Sequence, residues 1–174
     1  FYNVSLTDAN GCNMVIPVEV DQPDRALGAN MAKTNVSCYG ADDGELSAMA
    51  FGGTQPYSYA WSQNNVISTS SSVSNLGEGF YHLEIHDANS CAFDTTMMIQ
   101  EPSQILVSHI VTHPSCIGNN DGSIELEVTG GVEPYAYLYD DVPTSLPILS
   151  RLYEGSVNII VRDATNCSVN LGAV

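Results

Sequence analysis

The chain has 174 residues and is strongly acidic, with 20 Asp and Glu residues against 4 Lys and Arg residues and a net charge of −16. Such a charge repels nucleic-acid phosphates and anionic lipid surfaces, so we expect neither as a partner. No stretch approaches the roughly 18 apolar residues that a membrane-spanning segment needs, so membrane insertion is not expected either. The charge favours solubility, and Ca²⁺ is the ligand that it could attract.

An internal repeat organises the chain. The block Asp-Ala-x-x-Cys occurs three times, at offsets of 79 and 76 residues, and its copies are residues 8–12, 87–91 and 163–167. The block Ser-Cys-x-Gly-x-x-Asp-Gly occurs twice, at residues 37–44 and 115–122. The block Gly-Gly-x-x-Pro-Tyr-x-Tyr also occurs twice, at residues 52–59 and 130–137. Blocks that recur in the same order at one spacing indicate a tandem array.

The blocks divide the chain into three segments, which we call the first, second and third repeats. Residues 1–22 are predicted to be the C-terminal hairpin of a truncated repeat, residues 23–101 a complete β-sandwich repeat, and residues 102–174 a second, nearly complete one. The junctions lie near Pro23 and Pro102. Because proline fixes φ and restricts the residue before it, we expect short, stiff joints and an extended rod.

Apolar and polar residues alternate with period two before each Asp-Ala-x-x-Cys block, which predicts strands with one face in a core. The in-phase residues are Tyr2, Val4 and Leu6, then Tyr81, Leu83 and Ile85, then Val157, Ile159 and Val161. A second set follows each Asp-Gly turn and consists of Leu46, Ala48 and Ala50, and of Ile124, Leu126 and Val128. Short strands between turn signals are typical of an all-β protein, here tandem immunoglobulin-like antiparallel β-sandwich repeats of six to seven strands.

Each complete repeat carries one cysteine before its Asp-Gly turn and another in its Asp-Ala-x-x-Cys block. Pairing within repeats predicts the disulfides Cys38–Cys91 and Cys116–Cys167. It leaves Cys12 unpaired, because the partner of Cys12 would lie upstream in the truncated repeat. Single cysteines without a nearby His or Cys are poorly spaced for zinc, the alternative use. Disulfides imply an oxidising, extracellular compartment.

This pairing depends on the number of strands in a repeat. Consecutive strands reverse direction, so the two cysteines share one end of the sandwich only if a single strand separates the third strand from the strand before Asp-Ala-x-x-Cys. Two intervening strands would place the sulfurs a strand length apart, roughly 20 Å, which is beyond bridging distance. The predicted disulfides and a six-strand repeat therefore depend on each other.

Acidic residues in the loops are the candidate metal ligands. If the predicted disulfides hold the loops together, Ca²⁺ could be bound by Asp42, Asp43 and Asp87, and in the third repeat by Asp121 and Asp163. The sequence favours the alternative, in which Asp8, Asp87 and Asp163 accept backbone N–H groups within Asx turns. No set of nucleophile, base or cofactor-binding residues stands out, so no catalytic or cofactor-binding residue is assigned and no enzymatic activity is expected.

The blocks Cys-x-Gly-x-x-Asp-Gly, Gly-Gly-x-x-Pro-Tyr-x-Tyr and Asp-Ala-Asn-Gly-Cys together resemble the SprB repeat, which is found in large surface adhesins of gliding Bacteroidetes. The resemblance covers nearly the whole chain. It implies a secreted protein that the type IX secretion system exports to the outer-membrane surface, where it serves in cell adhesion or gliding motility. The third repeat departs from the pattern at Tyr139, where the second has Trp61, and at residues 163–167, which read Asp-Ala-Thr-Asn-Cys.

Two functions follow from these observations. The first is a stiff stalk, in which neighbouring repeats of the same chain are each other's partners and an external surface or polysaccharide is bound by another part of the parent protein. The alternative is a carbohydrate-binding module, because Trp61 and the repeated tyrosines could stack on sugars. A buried Trp61 would argue against this alternative.

Overall fold

Sixteen strands and no helix make up the computed structural model, which describes residues 1–174. The first repeat contributes β1 (Tyr2–Thr7) and β2 (Asn13–Val18). The second contributes β3 (Gly28–Thr34), β4 (Gly44–Phe51), β5 (Ser58–Ser62), β6 (Val66–Ser68), β7 (Ser72–Leu76), β8 (Gly79–His86) and β9 (Ala92–Ile99). The third contributes β10 (Leu106–Thr112), β11 (Gly122–Thr129), β12 (Ala136–Tyr139), β13 (Val142–Thr144), β14 (Ile148–Leu152), β15 (Asn158–Arg162) and β16 (Ser168–Ala173). The chain has no helix long and apolar enough to cross a membrane.

Each complete repeat is a sandwich of two antiparallel sheets. The sheets of the second repeat have the strand orders β3-β4-β7 and β6-β5-β8-β9. Those of the third repeat have the orders β10-β11-β14 and β13-β12-β15-β16. Three strands therefore face four in both repeats. This confirms the predicted all-β, immunoglobulin-like sandwich of six to seven strands and sets the number at seven in each repeat.

The alternating apolar residues fill the space between the sheets. Leu83 and Ile85 on β8 are fully buried and pack with Leu46 on β4, and in the third repeat Ile159 and Val161 on β15 are fully buried. The period-two pattern therefore identified the core faces of both complete repeats. Each repeat has its own buried cluster, so each sandwich is stabilised mainly by its own core.

Trp61 is the only tryptophan of the chain and lies on β5 inside the second core. Its side chain is 0% exposed, and its indole N–H donates to the carbonyl oxygen of Ser70 at 3.1 Å. We therefore expect blue-shifted tryptophan emission and iodide quenching far weaker than that of free tryptophan, measured by Stern–Volmer titration. Quenching of the folded chain as strong as that of the free amino acid would contradict this buried position.

The strand count sets the positions of the loops. Two strands, β6 and β7, run between β5 and β8, so the AB loop (residues 35–43) and the FG turn (residues 87–91) lie at opposite ends of the second repeat. The third repeat has the same arrangement, with an AB loop at residues 113–121 and an FG turn at residues 163–167. We call the end that carries the AB loop the upper end and the opposite end the lower end.

The first repeat is a single hairpin. β1 and β2 pair in register from Tyr2 opposite Val18 to Thr7 opposite Asn13. Every residue from 1 to 22 is exposed, so the hairpin is not buried against the second repeat. The alternating residues of β1 that the sequence assigned to a core, such as Leu6, are exposed because no opposing sheet is present in this chain.

Candidate functional site

Two of the repeated blocks meet at the lower end of each sandwich, where the FG turn lies against the BC loop (residues 52–57 in the second repeat). Asp87 joins them. Its Oδ1 accepts the backbone N–H groups of Asn89 at 2.9 Å and Cys91 at 2.8 Å, which closes the turn. Its Oδ2 accepts the N–H of Thr54 at 2.9 Å, which ties the BC loop to the turn.

Asp163 has the same role in the third repeat. Its Oδ1 accepts the backbone N–H groups of Thr165 at 2.9 Å and Cys167 at 3.0 Å, and its Oδ2 accepts that of Val132 at 3.0 Å. Asp163 is buried like Asp87, and both oxygens of each carboxylate accept hydrogen bonds from within the same repeat. The Asx-turn interpretation of the sequence therefore describes both residues.

The glycine pair of the BC loop is required by this close packing. A Cβ on Gly53 would lie 2.7 Å from Oδ2 of Asp87, and a Cβ on Gly52 would lie 2.1 Å from the carbonyl oxygen of Ala26. The hydroxyl of Tyr57 donates to the carbonyl oxygen of Gly52 at 2.7 Å, which fixes the loop from its other side. The Gly-Gly-x-x-Pro-Tyr block therefore forms a tightly packed loop at the lower end of the sandwich.

The electrostatics of Asp87 favour its ionised form. Burial by itself would raise the pKa of this carboxyl, but the hydrogen bonds from Thr54, Cys91 and Asn89 together lower the pKa below 3.8. Because the folded state holds the lower pKa, Asp87 contributes stability that is present above the unfolded pKa and lost as the pH falls through the folded value. The melting temperature should therefore be nearly constant from neutral pH to about pH 5 and decrease below about pH 4.

Replacing Asp87 with Asn tests this assignment. One side-chain oxygen is kept, but an NH₂ group then faces the N–H of Thr54, so we expect a melting temperature about 3–6 °C lower at neutral pH and a smaller decrease on acidification. Asp8→Asn is the matched control. Asp8 accepts the N–H groups of Asn10 and Cys12 but makes no bond to a BC loop, so this variant should match the wild type within about 1 °C.

The third repeated block forms the AB loop at the upper end. The backbone N–H of Ser37 donates to Oδ1 of Asp43 at 2.8 Å, and that of Ser115 donates to Oδ1 of Asp121 at 2.9 Å. The hydrogen bonds from Ser37 lower the pKa of Asp43, and those from Ser115 lower the pKa of Asp121. These aspartates therefore organise their own loops.

A six-residue connection, residues 100–105, runs between the second and third repeats and is held on both sides. On the upper end of the second repeat, the N–H of Val36 donates to the carbonyl oxygen of Gln100 at 3.2 Å, and the N–H of Gly40 donates to Oε2 of Glu101 at 2.8 Å. On the lower end of the third repeat, the N–H of Gly131 donates to the carbonyl oxygen of Ser103 at 2.9 Å. The connection is therefore part of both sandwiches.

A disulfide forms a second link across the same joint. Cys38, in the AB loop of the second repeat, is bonded to Cys167, in the FG turn of the third, with a Cα–Cα distance of 5.6 Å and a sequence separation of 129 residues. Sγ of Cys167 also lies 3.2 Å from the carbonyl oxygen of Ser37. The repeated blocks of two successive repeats thus converge on one joint, which we take as the candidate functional site.

The predicted disulfides Cys38–Cys91 and Cys116–Cys167 are wrong in this structure, where Cys12, Cys91 and Cys116 are free. The physical reason is the seven-strand repeat. Each of those pairs would have to join the upper end of a sandwich to its own lower end, and an eight-residue strand such as β8 spans about 26 Å. The within-repeat disulfides and the six-strand repeat, which required each other, are therefore both absent.

The candidate calcium ligands are not brought together as the sequence hypothesis required. Asp42 and Asp43 lie in the upper AB loop, whereas Asp87 lies in the lower FG turn of the same repeat. Asp121 and Asp163 are separated in the same way in the third repeat. No group of three His, Cys, Asp or Glu side chains is close enough to hold a metal ion. The Ca²⁺ hypothesis assumed that within-repeat disulfides bring these loops together, and those disulfides are absent.

The aromatic residues offered as a sugar-binding surface are in the cores. Trp61 is fully buried, and Tyr137 and Tyr139 are 7% and 5% exposed. Burial raises the pKa of both tyrosines, and the hydroxyl of Tyr139 donates to the carbonyl oxygen of Leu146 at 3.4 Å. A buried ring has no free face for stacking on a sugar, so the carbohydrate-binding alternative is wrong for these residues.

Comparison with known proteins adds a family relationship. A family model described as the SprB repeat matches residues 30–66 and, separately, residues 108–144. Each match begins within the first strand of a complete repeat and includes its AB and BC loops. The SprB repeat is a structural repeat family that is associated with cell-surface proteins. No curated protein matches the chain.

Proposed function

We propose that this chain, whose two complete sandwiches are SprB repeats, is a stalk segment of a secreted cell-surface adhesin and holds an adhesive region at a fixed distance from the cell. The proposal extends to surface adhesion or gliding motility as the process and to type IX secretion as the route of export. It assigns the chain a mechanical role and no chemistry of its own. An external surface or polysaccharide would then be bound elsewhere in the parent protein.

The double link between the second and third repeats is the observation that carries the proposal. A single flexible linker would let the sandwiches reorient freely, whereas two attachment points restrict bending and rotation. The connection is hydrogen-bonded to both repeats, and the Cys38–Cys167 bond closes the joint at a second place. A stalk that transmits force or maintains reach needs such a joint.

The charge supports the same role. The chain carries 20 acidic residues and only 4 Lys and Arg residues, so most of its acidic side chains have no Lys or Arg to pair with. Like charges along an array repel one another and keep parallel stalks apart, which opposes lateral aggregation at a crowded surface. This effect weakens beyond about 8 Å at physiological ionic strength, so it acts between neighbouring molecules only at short range.

Small-angle X-ray scattering tests the stalk. The oxidised chain should have one well-defined maximum dimension consistent with two sandwiches arranged end to end, and that dimension should not depend on salt concentration. Cys38→Ser should broaden the distance distribution, whereas Cys91→Ser, which leaves the joint intact, should not. A broad, ensemble-averaged distribution for the oxidised wild type would contradict a stiff stalk.

A bead assay tests whether adhesion lies elsewhere. Beads coated with the oxidised chain should bind glass and polysaccharide surfaces no better than beads coated with a non-adhesive protein of similar charge. Strong specific retention of the coated beads would show that the repeats themselves are adhesive and would contradict the purely mechanical role.

A further inference from the structure

The upper end of the third repeat resembles the upper end of the second repeat, but its AB-loop cysteine is not bonded to a neighbouring repeat. Its AB loop is folded like that of the second repeat: the N–H of Asn119 donates to the carbonyl oxygen of Cys116 at 3.0 Å, as the N–H of Ala41 does to that of Cys38 at 3.0 Å. Cys116 is therefore held in the backbone setting that presents Cys38 to its partner. Unlike Cys38, Cys116 is exposed and free.

The residue after each of these cysteines shows the same difference. Ile117, beside the free Cys116, is 90% exposed, whereas Tyr39, beside the bonded Cys38, is 53% exposed. A nearly fully exposed isoleucine at a loop tip is unfavourable in water and favours burial by a neighbour. At the occupied joint, the AB loop that carries Tyr39 is bonded to the third repeat through Cys38 and Cys167.

An open cleft of about 1250 Å³ lies between the sheets at the same end of the third repeat. Its lining includes Pro114, Leu152 and Val174. At the upper end of the second repeat the corresponding space is closed by the fully buried Ile99 and by the connection that follows it. The cleft is lined by 25 residues, of which 13 are hydrophobic, so its position and mixed lining fit a segment that leads into another repeat.

The lower ends are equivalent as well. Asp87 closes the turn that carries Cys91 in the same way that Asp163 closes the turn that carries Cys167. Cys167 is 9% exposed because it is bonded across the joint, whereas Cys91 is exposed and free. Each complete repeat thus has one cysteine for the repeat above it and one for the repeat below it.

We propose that the upper end of the third repeat is a docking surface for a further copy of this repeat and that Cys116 forms a disulfide with the FG-turn cysteine of that copy. The rule for an array is that each AB-loop cysteine is bonded to the FG-turn cysteine of the next repeat, and never to the cysteine of its own repeat. A continuous ladder of disulfides then links repeat to repeat. The inference rests on the joint alone, so it and the adhesive function can fail independently.

Formation of each bond is a thiol–disulfide exchange with an oxidant of the disulfide class, such as glutathione disulfide. The Cys116 thiolate attacks the oxidant, forms a mixed disulfide and releases one glutathione thiol. The thiolate of the FG-turn cysteine then attacks the mixed disulfide and releases the second. The two protein thiols lose two electrons and two protons, and the oxidant becomes two thiols.

A chain extended by one repeat tests the ladder directly. The full chain is followed, after Val174, by a second copy of residues 98–174, and serine replaces every cysteine except Cys116 and the copied Cys167. The control keeps Cys116 and the original Cys167, which belong to one repeat. After equilibration in a glutathione buffer, the first protein should have no free thiol and one internal disulfide, and the control should have two free thiols. Two free thiols in the first protein, or a disulfide in the control, would overturn the ladder.

A second measurement uses the unaltered chain and does not depend on folding of the extended one. At millimolar concentration under mild oxidation, peptide mass mapping of cross-linked dimers should join Cys116 of one copy to Cys12 or Cys91 of another, because both lie in FG turns. Cross-links that join Cys116 to Cys116, or the absence of any cross-link through Cys116, would count against the docking surface.

Discussion

Breaking the Cys38–Cys167 bond should destabilise the chain more than any other change of a cysteine. The bond closes a loop with a sequence separation of 129 residues, which in the chain-entropy model contributes about 5 kcal/mol. For a chain of this size, Cys38→Ser should lower the melting temperature by about 10–20 °C under oxidising conditions, measured by differential scanning calorimetry. A reductant should remove the difference between wild type and variant.

The cysteine set provides its own controls. Cys167→Ser and the double variant should have the same melting temperature as Cys38→Ser, because all three lose the same bond. Cys91→Ser and Cys116→Ser should match the wild type, since both thiols are free and exposed. If Cys91→Ser were as destabilising as Cys38→Ser, the assignment of the bond across the joint would be untenable.

Replacing Gly130 with Ala should be the most damaging single change in the BC loop of the third repeat, residues 130–135. Gly130 has φ of +74°, and an added Cβ would lie 2.0 Å from the carbonyl oxygen of Gln104 in the connection. The left-handed backbone costs about 1–2 kcal/mol for alanine. The clash with backbone must also displace the connection, so we expect a total loss of about 3–5 kcal/mol, measured by urea denaturation.

Gly118→Ala is the matched control for this prediction. Gly118 has φ of +83° but no atom lies within 4 Å of the added Cβ, so only the backbone term of about 1–2 kcal/mol should remain. Equal losses for the two variants would mean that the connection does not pack against Gly130. A matching pair in the second repeat is Gly52, whose Cβ would lie 2.1 Å from the carbonyl oxygen of Ala26, and Gly40, which has free space.

Local sequence pattern predicted the core faces of the sandwiches because successive side chains of a strand point to opposite faces of its sheet. Leu83 and Ile85 alternate with polar residues, and both are fully buried. Asp87 was also assigned correctly to an Asx turn, since the two N–H groups that close the turn lie within four residues of it, whereas its bond to Thr54 had no local signal. The same rule failed for Leu6, whose burial depends on an opposing sheet that this chain does not contain.

The joint could not be predicted in the same way. It depends on whether one or two short strands lie between β5 and β8, because that number decides at which end of the sandwich the FG turn lies. β6 has three residues and β7 has five, which is too short for a period-two pattern to count them reliably. Counting one strand there instead of two placed Cys91 at the wrong end of the sandwich and suggested a partner within the repeat. The contact of Glu101 with Gly40 likewise depends on the packing of the connection and has no local signal.

Non-reducing peptide mass mapping of the unaltered, oxidised chain determines whether the disulfide joins the two repeats or lies within one of them. We expect a peptide that contains Cys38 linked to one that contains Cys167, with Cys12, Cys91 and Cys116 recovered as free thiols from the monomer. Recovery of Cys38 linked to Cys91 and of Cys116 linked to Cys167 would contradict this expectation, because those bonds lie within single repeats and would leave no covalent link across the joint.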